Sequence, residues 1–505
     1  MKKILSFLTS RLFIFAMLIL LQMAVLVCFL LWLQELSVYF YIFCTVLSLT
    51  MVFYIVSRQD NPMYKIAWII PIMMVPVLGG IFYLLFGKRN ISPRIRRKLG
   101  QGMVKNAKFQ TQNPEILTEL RKNPQGAKQA AYITQTVGYP VYKNTETIFL
   151  SPGEAQFPIM MEELKKAKKF IFLEYFIIQE GKMWDSILEI LVEKVKEGVD
   201  VRVLYDDLGC IGTLPPHYDR KLRQLGIQVQ VFNPFKPSLD VFMNYRDHRK
   251  ICVIDGNVGI TGGINLSDEY INAYEKHGYW KDASILLRGD GVWSLTTMFL
   301  NLWEGATGVD EKYDLYRPTD LYENDGFVQP FADSPMDLEL SGESVYMNMI
   351  NSATKSIRIE TPYLIIDNEM MTALCLAAKS GICVDIVTPH VADKWFVHEV
   401  TRSNYKQLIQ AGVNIYEYTP GFIHAKVVVV DNEYAVVGTQ NFDYRSFYLH
   451  FECGVWMHHS TAIRQITADF NEILKVSRKM APEDCKIPWY KRAIRGFLKV
   501  FSPLM

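Results

Sequence analysis

The chain opens on a long hydrophobic block. Residues 12–33 (LFIFAMLILLQMAVLVCFLLWL) carry no charge. A helix of that length rises about 33 Å, enough to cross a hydrocarbon core of about 30 Å. The run is too long for a signal-peptide core, and no small-residue cleavage site follows it. A second apolar run, 38–57 (VYFYIFCTVLSLTMVFYIVS), comes after a short break holding Glu35, so the two are expected to form a transmembrane hairpin. A third run, 66–86, is interrupted by Pro71, Pro76, Gly79 and Gly80 and reads either as a kinked span or as a re-entrant segment.

From about residue 136 the pattern changes to short β-rich runs alternating with helical ones. Two halves lie side by side. KKFIFLEYFII (168–178) parallels KSIRIETPYLII (355–366), each a buried strand holding one acid, Glu174 and Glu360. GVDVRVLY (198–205) parallels GICVDIVT (381–388), and LRQLGIQVQVFN (222–233) parallels LIQAGVNIYEYT (408–419). Glu174 to Gly226 and Glu360 to Gly412 both span 52 residues; the first half then inserts ten more. The fold class predicted is α/β: a duplicated α/β sandwich with pseudo-twofold symmetry behind an N-terminal transmembrane helical region. The expected divisions are a membrane region 1–90, a basic linker 91–135, halves 136–330 and 331–480, and a basic amphipathic tail 481–505.

Charge refines this picture. Lys2, Lys3 and Arg11 hold the N-terminus inside. Lys88, Arg89, Arg94, Arg96, Arg97 and Lys98 follow the third run, with no acid between Asp60 and Glu115. Two spans plus a non-spanning third segment satisfy both clusters, which puts the catalytic part in the cytoplasm. The tail WYKRAIRGFLKVFSPLM (489–505) alternates basic and apolar positions. It suits a basic interfacial helix on anionic lipid, or a terminal helix docked on the domain. A net charge of +2 and no evident basic groove near the motifs argue against nucleic acid. The eight cysteines show no CxxC pair or zinc spacing and read as reduced thiols, which fits a cytosolic face.

The chemistry is carried by one pattern written twice: His248, Lys250, Asp255, Gly262, Asn265, and His424, Lys426, Asp431, Gly438, Asn441, at identical offsets. Alternation predicts that His and Lys share one face of a strand. "DG" at 255–256 and "DN" at 431–432 predict a hairpin turn in each copy. The glycines at 262, 263 and 438 allow a ligand or backbone to come close. Brought together, the copies give two imidazoles, two ammoniums and two amides. The carboxylates magnesium needs are absent from that face, and two histidines fall short of a catalytic zinc set, so no metal is expected. The set suits a phosphodiester. Lys250, Lys426, Asn265 and Asn441 would hold the non-bridging oxygens. One imidazole would attack phosphorus and form a phosphohistidine, while the other protonates the leaving alkoxide and then deprotonates the acceptor. Asp255 and Asp431 belong to the same pattern, but their offset puts them at the turn, so catalysis and hairpin hydrogen bonding stay open for them.

The duplicated HxK(x)4D(x)6G…N pattern resembles the phospholipase D superfamily. HRKICVIDGNVGITGGINLSDEY (248–270), YWKDASILLRG (279–289), ETPYLIIDNEM (360–370), FIHAKVVVVD (422–431) and GTQNFDYRSFYLHFE (438–452) are similar to bacterial cardiolipin synthases, as are the hydrophobic front and the FSPLM end. The first span looks like an addition to shorter members. The resemblance implies phosphatidyl transfer between two phosphatidylglycerol molecules, giving cardiolipin and glycerol, with no metal or nucleotide cofactor. The partners implied are phosphatidylglycerol and anionic membrane lipid. It implies His248 as nucleophile and His424 as acid/base. Arg445, Ser446 and Glu452 match the family's extension of the second motif, where Glu452 would orient His248 or His424. His450 departs from it, standing where Asn is frequent, and reads as a surface or supporting residue. Glu174 and Glu360 read as carboxylate partners of the histidines or as buried structural acids. A hydrolytic phospholipase D, another phosphatidyltransferase, a tethered nuclease and a silent scaffold are the alternatives.

Overall fold

The computed structural model describes residues 20, 23–24, 27–28, 38–87, 105–234, 245–323, 326–336 and 339–504. Among these, no helix is long and apolar enough to cross a membrane. The predicted span 12–33 lies almost wholly outside the described residues, as does the basic cluster 88–98. The second run is helical over α1 (Val38–Ser57), with side chains described from residue 42. The transmembrane expectation is therefore not established by the described residues.

The third run resolves into two short helices, α2 (Pro62–Met74) and α3 (Pro76–Phe82), broken at Val75. Eight residues of continuous helix would separate positions 71 and 79 by about 12 Å. Instead a Cβ at Gly79 would lie 2.5 Å from the Pro71 carbonyl oxygen. The segment folds back on itself, and only glycine permits that approach. Ile55, Tyr64, Trp68, Ile72 and Tyr83 form its core.

The repeated part builds two sheets of one plan. The first half runs β1 (Thr145–Leu150), α4 (Gly153–Lys166), β2 (Phe170–Tyr175), α5 (Lys182–Lys196), β3 (Asp200–Asp206), α6 (Tyr218–Gln224), β4 (Gln228–Phe232), β5 (Arg246–Asp247), β6 (Lys250–Ile254), β7 (Val258–Gly262), β8 (Tyr279–Lys281), β9 (Ser284–Gly289) and α7 (Val292–Thr307). The second runs β10 (Phe327–Asp333), α8 (Ser341–Ser352), β11 (Ser356–Glu360), β12 (Leu364–Ile365), α9 (Asn368–Lys379), β13 (Cys383–Pro389), α10 (Trp395–Ala411), β14 (Asn414–Tyr418), β15 (Gly421–Ile423), β16 (Val427–Val430), β17 (Tyr434–Gly438), β18 (Phe442–Asp443), β19 (His450–His458), α11 (Thr461–Lys475) and β20 (Ser477–Lys479). The chain closes on α12 (Trp489–Val500).

The first sheet is ordered β1-β9-β7-β6-β2-β3-β4, and the second β10-β19-β17-β16-β11-β13-β14-β20. Every strand of the first has its counterpart in the second. Register repeats as well: Glu174 lies opposite Ile251, and Glu360 opposite Val427, each three residues past its motif histidine. The central strand β2 is buried along its whole length, as expected where helices cover both faces. Helix α7 is buried around most of its circumference and belongs to the core, with Phe299 stacked on Phe172 at 4.5 Å. The halves meet along β7 and β19, where Thr261 Oγ1 lies 3.3 Å from Cys453 Sγ. All eight cysteines are free.

Candidate active site

Both motif histidines sit where the chain changes sheets. β5 pairs in parallel with the start of β19, in the other half, and the His248 N–H donates to the Phe451 carbonyl at 2.9 Å. Two residues later the chain joins its own sheet as β6. The second copy mirrors this. β15 pairs with β8 of the first half, and the His424 N–H donates to the Lys281 carbonyl at 2.7 Å before β16 begins at Val427. The expectation that His and Lys share one regular strand is corrected. The histidine lies in the gap between two strands, because the backbone must leave one half's edge to join the other.

That crossing delivers a carboxylate to each imidazole from the opposite half. His248 Nδ1 lies 3.0 Å from both oxygens of Glu452. His424 Nδ1 lies 2.6 Å from Asp282 Oδ2. Each carboxylate therefore fixes the Nδ1–H tautomer and leaves Nε2 as the nucleophilic nitrogen. Asp282 escapes a search for repeated letters because its counterpart is a glutamate. The signal available is positional: Asp282 follows the edge strand β8, as Glu452 follows the first two residues of β19. The glycines serve this arrangement. A Cβ at Gly263 would lie 2.0 Å from Asp282 Oδ1, and one at Gly438 2.6 Å from the Cys453 carbonyl. They make room for the carboxylate-bearing strands.

The lysines are buried beside the histidines. Lys250 Nζ donates to the His248 carbonyl at 2.5 Å, and Lys426 Nζ donates to that of His424. Lys426 Nζ also lies 2.9 Å from His424 Nδ1. That nitrogen cannot donate to Asp282 and accept from Lys426 together, and the carboxylate contact is shorter. Burial, then the lysines, hold His248 well below the ordinary imidazole value and pull His424 down to about 4, against Asp282. Burial pulls Lys250 to about 8 and Lys426 to about 7, opposed by the nearby carboxylates. His248 feels Lys426 and His424 of the other half, so the two copies share one electrostatic site. Burial and mutual repulsion thus press both imidazoles and both lysines toward their neutral forms. A phosphodiester would relieve that pressure.

The remaining predicted residues divide. Asp255 accepts from the N–H groups of Lys168, Lys169 and Phe170, and Asp431 from those of Thr354, Lys355 and Ser356 and from the Thr354 hydroxyl. Both aspartates have positive φ, 53° and 56°, as do Gly256 and Asn432, so each pair forms the turn predicted for its hairpin. Neither carboxylate contacts a motif histidine. Asn265 Oδ1 accepts from the Ile177 N–H, and its Nδ2 donates to the Tyr270 hydroxyl, leaving one amide hydrogen for a ligand. Asn441 keeps a buried carbonyl oxygen with no hydrogen-bond partner. Ser446 Oγ accepts from the Asn441 N–H, and its own N–H donates to Asp443.

Glu174 and Glu360 do not partner a histidine. Glu174 pairs with Arg249 at 2.7 Å. Glu360 has two buried oxygens without a hydrogen bond, and burial lifts it to about 8. The surface reading of His450 is also corrected. It is 8% exposed, and its ring lies 5.4 Å from that of His248. Arg445 Nε donates to His450 Nε2 at 3.4 Å, which turns Nδ1–H toward Glu452, 3.6 Å away. Single donor atoms of His248, His450 and Glu452 lie within 4.8 Å of one another, a spacing that can hold a metal ion. The motif-based count of two histidines omitted that set. Lys250, Lys426 and Arg445 surround it with positive charge, which disfavours a dication and favours an anion.

The family profile described as "Cardiolipin synthase, PLD-like domain" matches residues 160–278 and 346–474, and one described as "Phospholipase_D-nuclease N-terminal" matches 46–88. An uncharacterized protein of Streptococcus mutans is 44% identical over 90% of this chain and 99% of its own length. A protein of Halalkalibacterium halodurans named cardiolipin synthase is 34% identical over 92% of this chain and 94% of its own. Cardiolipin synthase 2 of Bacillus cereus is 36% identical over 89% and 88%. Among solved structures, the phosphatidylserine synthase of Haemophilus influenzae superposes with a TM-score of 0.56 at 16% identity, covering 76% of this chain and 98% of that one. That likeness concerns the fold alone.

Proposed function

The chain belongs to the cardiolipin synthase family of phospholipase D-like proteins, and from that premise we propose that it transfers a phosphatidyl group from one phosphatidylglycerol to another. The observation that carries the reading is the pair of crossed imidazole–carboxylate contacts beside two buried lysines. His248 Nε2 attacks phosphorus. The P–N bond forms as the P–O bond to glycerol breaks, and His424, protonated once the bound phosphodiester offsets the lysine charge that, after burial, depresses it, gives its proton to the leaving oxygen. A second phosphatidylglycerol then enters. His424 takes the proton of its free glycerol hydroxyl, that oxygen attacks phosphorus, and the P–N bond breaks. One phosphodiester is exchanged for another. Lys250 and Lys426 stabilise the charge on the non-bridging oxygens in both steps.

Two differences support this assignment of roles. His424 holds its carboxylate at 2.6 Å, while Glu452 is shared between His248 at 3.0 Å and the Thr439 hydroxyl. The imidazole with the tighter carboxylate suits proton transfer, which leaves the other to attack phosphorus. Asn441 has a spare buried oxygen that fits the acceptor hydroxyl. The halves 136–330 and 331–480 would act as one site, with 481–505 as an appended tail.

The front of the chain is read as a membrane anchor on a multi-pass plan, with the catalytic part in the cytoplasm. Support comes from α1, where Phe43 and Phe53 are 61% and 72% exposed and no charge occurs. The folded-back third run also supports it, because a non-spanning segment satisfies both basic clusters. Reporter fusions after residues 60 and 100 test the topology; reporters on opposite sides of the membrane would contradict it. For activity, purified protein is incubated with phosphatidylglycerol. Cardiolipin and glycerol should appear one to one, while phosphatidic acid as sole product would sink the reading.

A further inference from the structure

Helix α12 is built inside out. Trp489, Tyr490, Ile494, Phe497 and Leu498 fall on one arc, and Lys491, Arg492, Arg495 and Lys499 on the other. In a terminal helix packed on a globular domain, the apolar arc faces the domain. Here the basic arc does. Arg495 Nε donates to Glu399 Oε2 at 2.7 Å, and Lys499 Nζ donates to Asn404 Oδ1 at 3.1 Å, both on α10. The apolar arc is left open: Trp489 is 80% exposed and Phe497 66%. These two contacts join residues 96 and 95 apart in sequence, so α10 and α12 run parallel with their N-termini at one end. Trp395, the first residue of α10, is 65% exposed at that end. Lys491 and Arg492 stand exposed at the border of the arc.

This face adjoins the catalytic centre. Tyr363 donates its hydroxyl proton to Asp393, two residues before Trp395, at 2.5 Å. The Tyr363 ring lies 6.4 Å from that of Phe422, which lies 6.0 Å from His424. The path from reactive imidazole to exposed tryptophan therefore crosses two aromatic rings.

We propose that the apolar arc of α12, with Trp395, docks the catalytic part onto an anionic bilayer surface and delivers membrane-resident phosphatidylglycerol to the site. The occupant is identified by the chemistry of the face. Tryptophan and tyrosine at the helix start, apolar side chains along one arc and exposed cations at its edge suit an interface between acyl chains and anionic headgroups. The inference rests on the phosphatidyl-transfer reading and goes further by naming how the substrate arrives.

The test uses the full chain with two forms of donor: long-chain phosphatidylglycerol in vesicles, and a short-chain form kept below its micelle concentration. The variant is Trp489→Ser with Phe497→Ser. The vesicle KM, as mole fraction, should rise about tenfold as two interfacial anchors are lost, while kcat/KM on the monomeric donor stays within about twofold. A second variant, Lys491→Glu with Arg492→Glu, should weaken use of anionic vesicles and leave the monomeric donor unaffected. Lipid carrying bromine should quench the emission of the wild type more than that of Trp489→Phe. An unchanged vesicle KM would overturn the proposal. So would equal loss on both donors with a lowered melting temperature, which would mean that the arc packs on the chain's own front segment. No turnover of either donor by wild type would instead refute the transfer reading.

Discussion

The two motif copies are one design executed with different letters. Around His424 the carboxylate is an aspartate at 2.6 Å, and the bed is aromatic: Trp280, Tyr270 and Phe422 surround the ring. Around His248 the carboxylate is a glutamate at 3.0 Å that Thr439 also engages, and the position equivalent to Trp280 is His450. A duplicated fold could have supplied two interchangeable imidazoles. This one supplies one with a tight carboxylate in a bed of three aromatic rings and one with a shared carboxylate between Phe176 and His450. Divergence at the partners lets otherwise equivalent histidines take different steps.

The comparison breaks hardest at the carboxylates. Asp282→Asn should lower kcat by about 10³–10⁴, the scale seen when an imidazole loses its tautomer-fixing carboxylate. Glu452→Gln should cost less, about 10²–10³, because Thr439 still holds the side chain. Steady-state kinetics on both variants check the order, and a larger loss at Glu452 would reverse the assigned roles. Lys250→Met and Lys426→Met come next, at about 10² each, as expected for removing one donor to a developing charge.

The pH profile sharpens the comparison between imidazole and lysine. The lysines act as ammoniums, with values of about 8 and 7, so kcat/KM should fall as pH rises through that range. His248 must be neutral to attack and is held well below its ordinary value, so the acid limb should lie below pH 6.5. Lys426→Arg should move the alkaline limb upward. A profile unchanged from pH 7 to about 9 would contradict the lysine assignment. The smallest effect on chemistry is expected at the turns. Asp255→Asn and Asp431→Asn each weaken charge-assisted bonds to backbone N–H groups, at about 1–3 kcal/mol of stability. Their melting temperatures should fall while kcat of the folded protein stays near wild type.

The repeat was legible because its offsets survive in the letters, and so was the α/β plan, but the strand order was not, since a duplication says only that two orders match. The turns were legible in "DG" and "DN". The strand switch at each histidine was not, because alternation through His248, Lys250 and Cys252 continues across a change of partner. Nor was the crossed pairing. Glu452 and Asp282 lie 204 and 142 residues from their histidines, and no local pattern encodes a contact between halves. For His450 the letters leave a surface and a supporting place open, because one substituted letter says nothing of burial; the structure takes the supporting one. For Glu174 the letters leave a histidine partner and a buried structural acid open, because a strand pattern gives a face and not the neighbour on it; Arg249 is that neighbour.

The central claim is a covalent intermediate on His248, with His424 serving only as proton carrier. A phosphatidyl ester of p-nitrophenol separates these roles, since its leaving group departs without a proton. His424→Ala should release one equivalent of p-nitrophenol and then stop, and peptide mapping under alkaline quench should find the phosphatidyl group on His248. His248→Ala should release none. A burst from His248→Ala with none from His424→Ala, or an adduct on any other residue, would contradict the account.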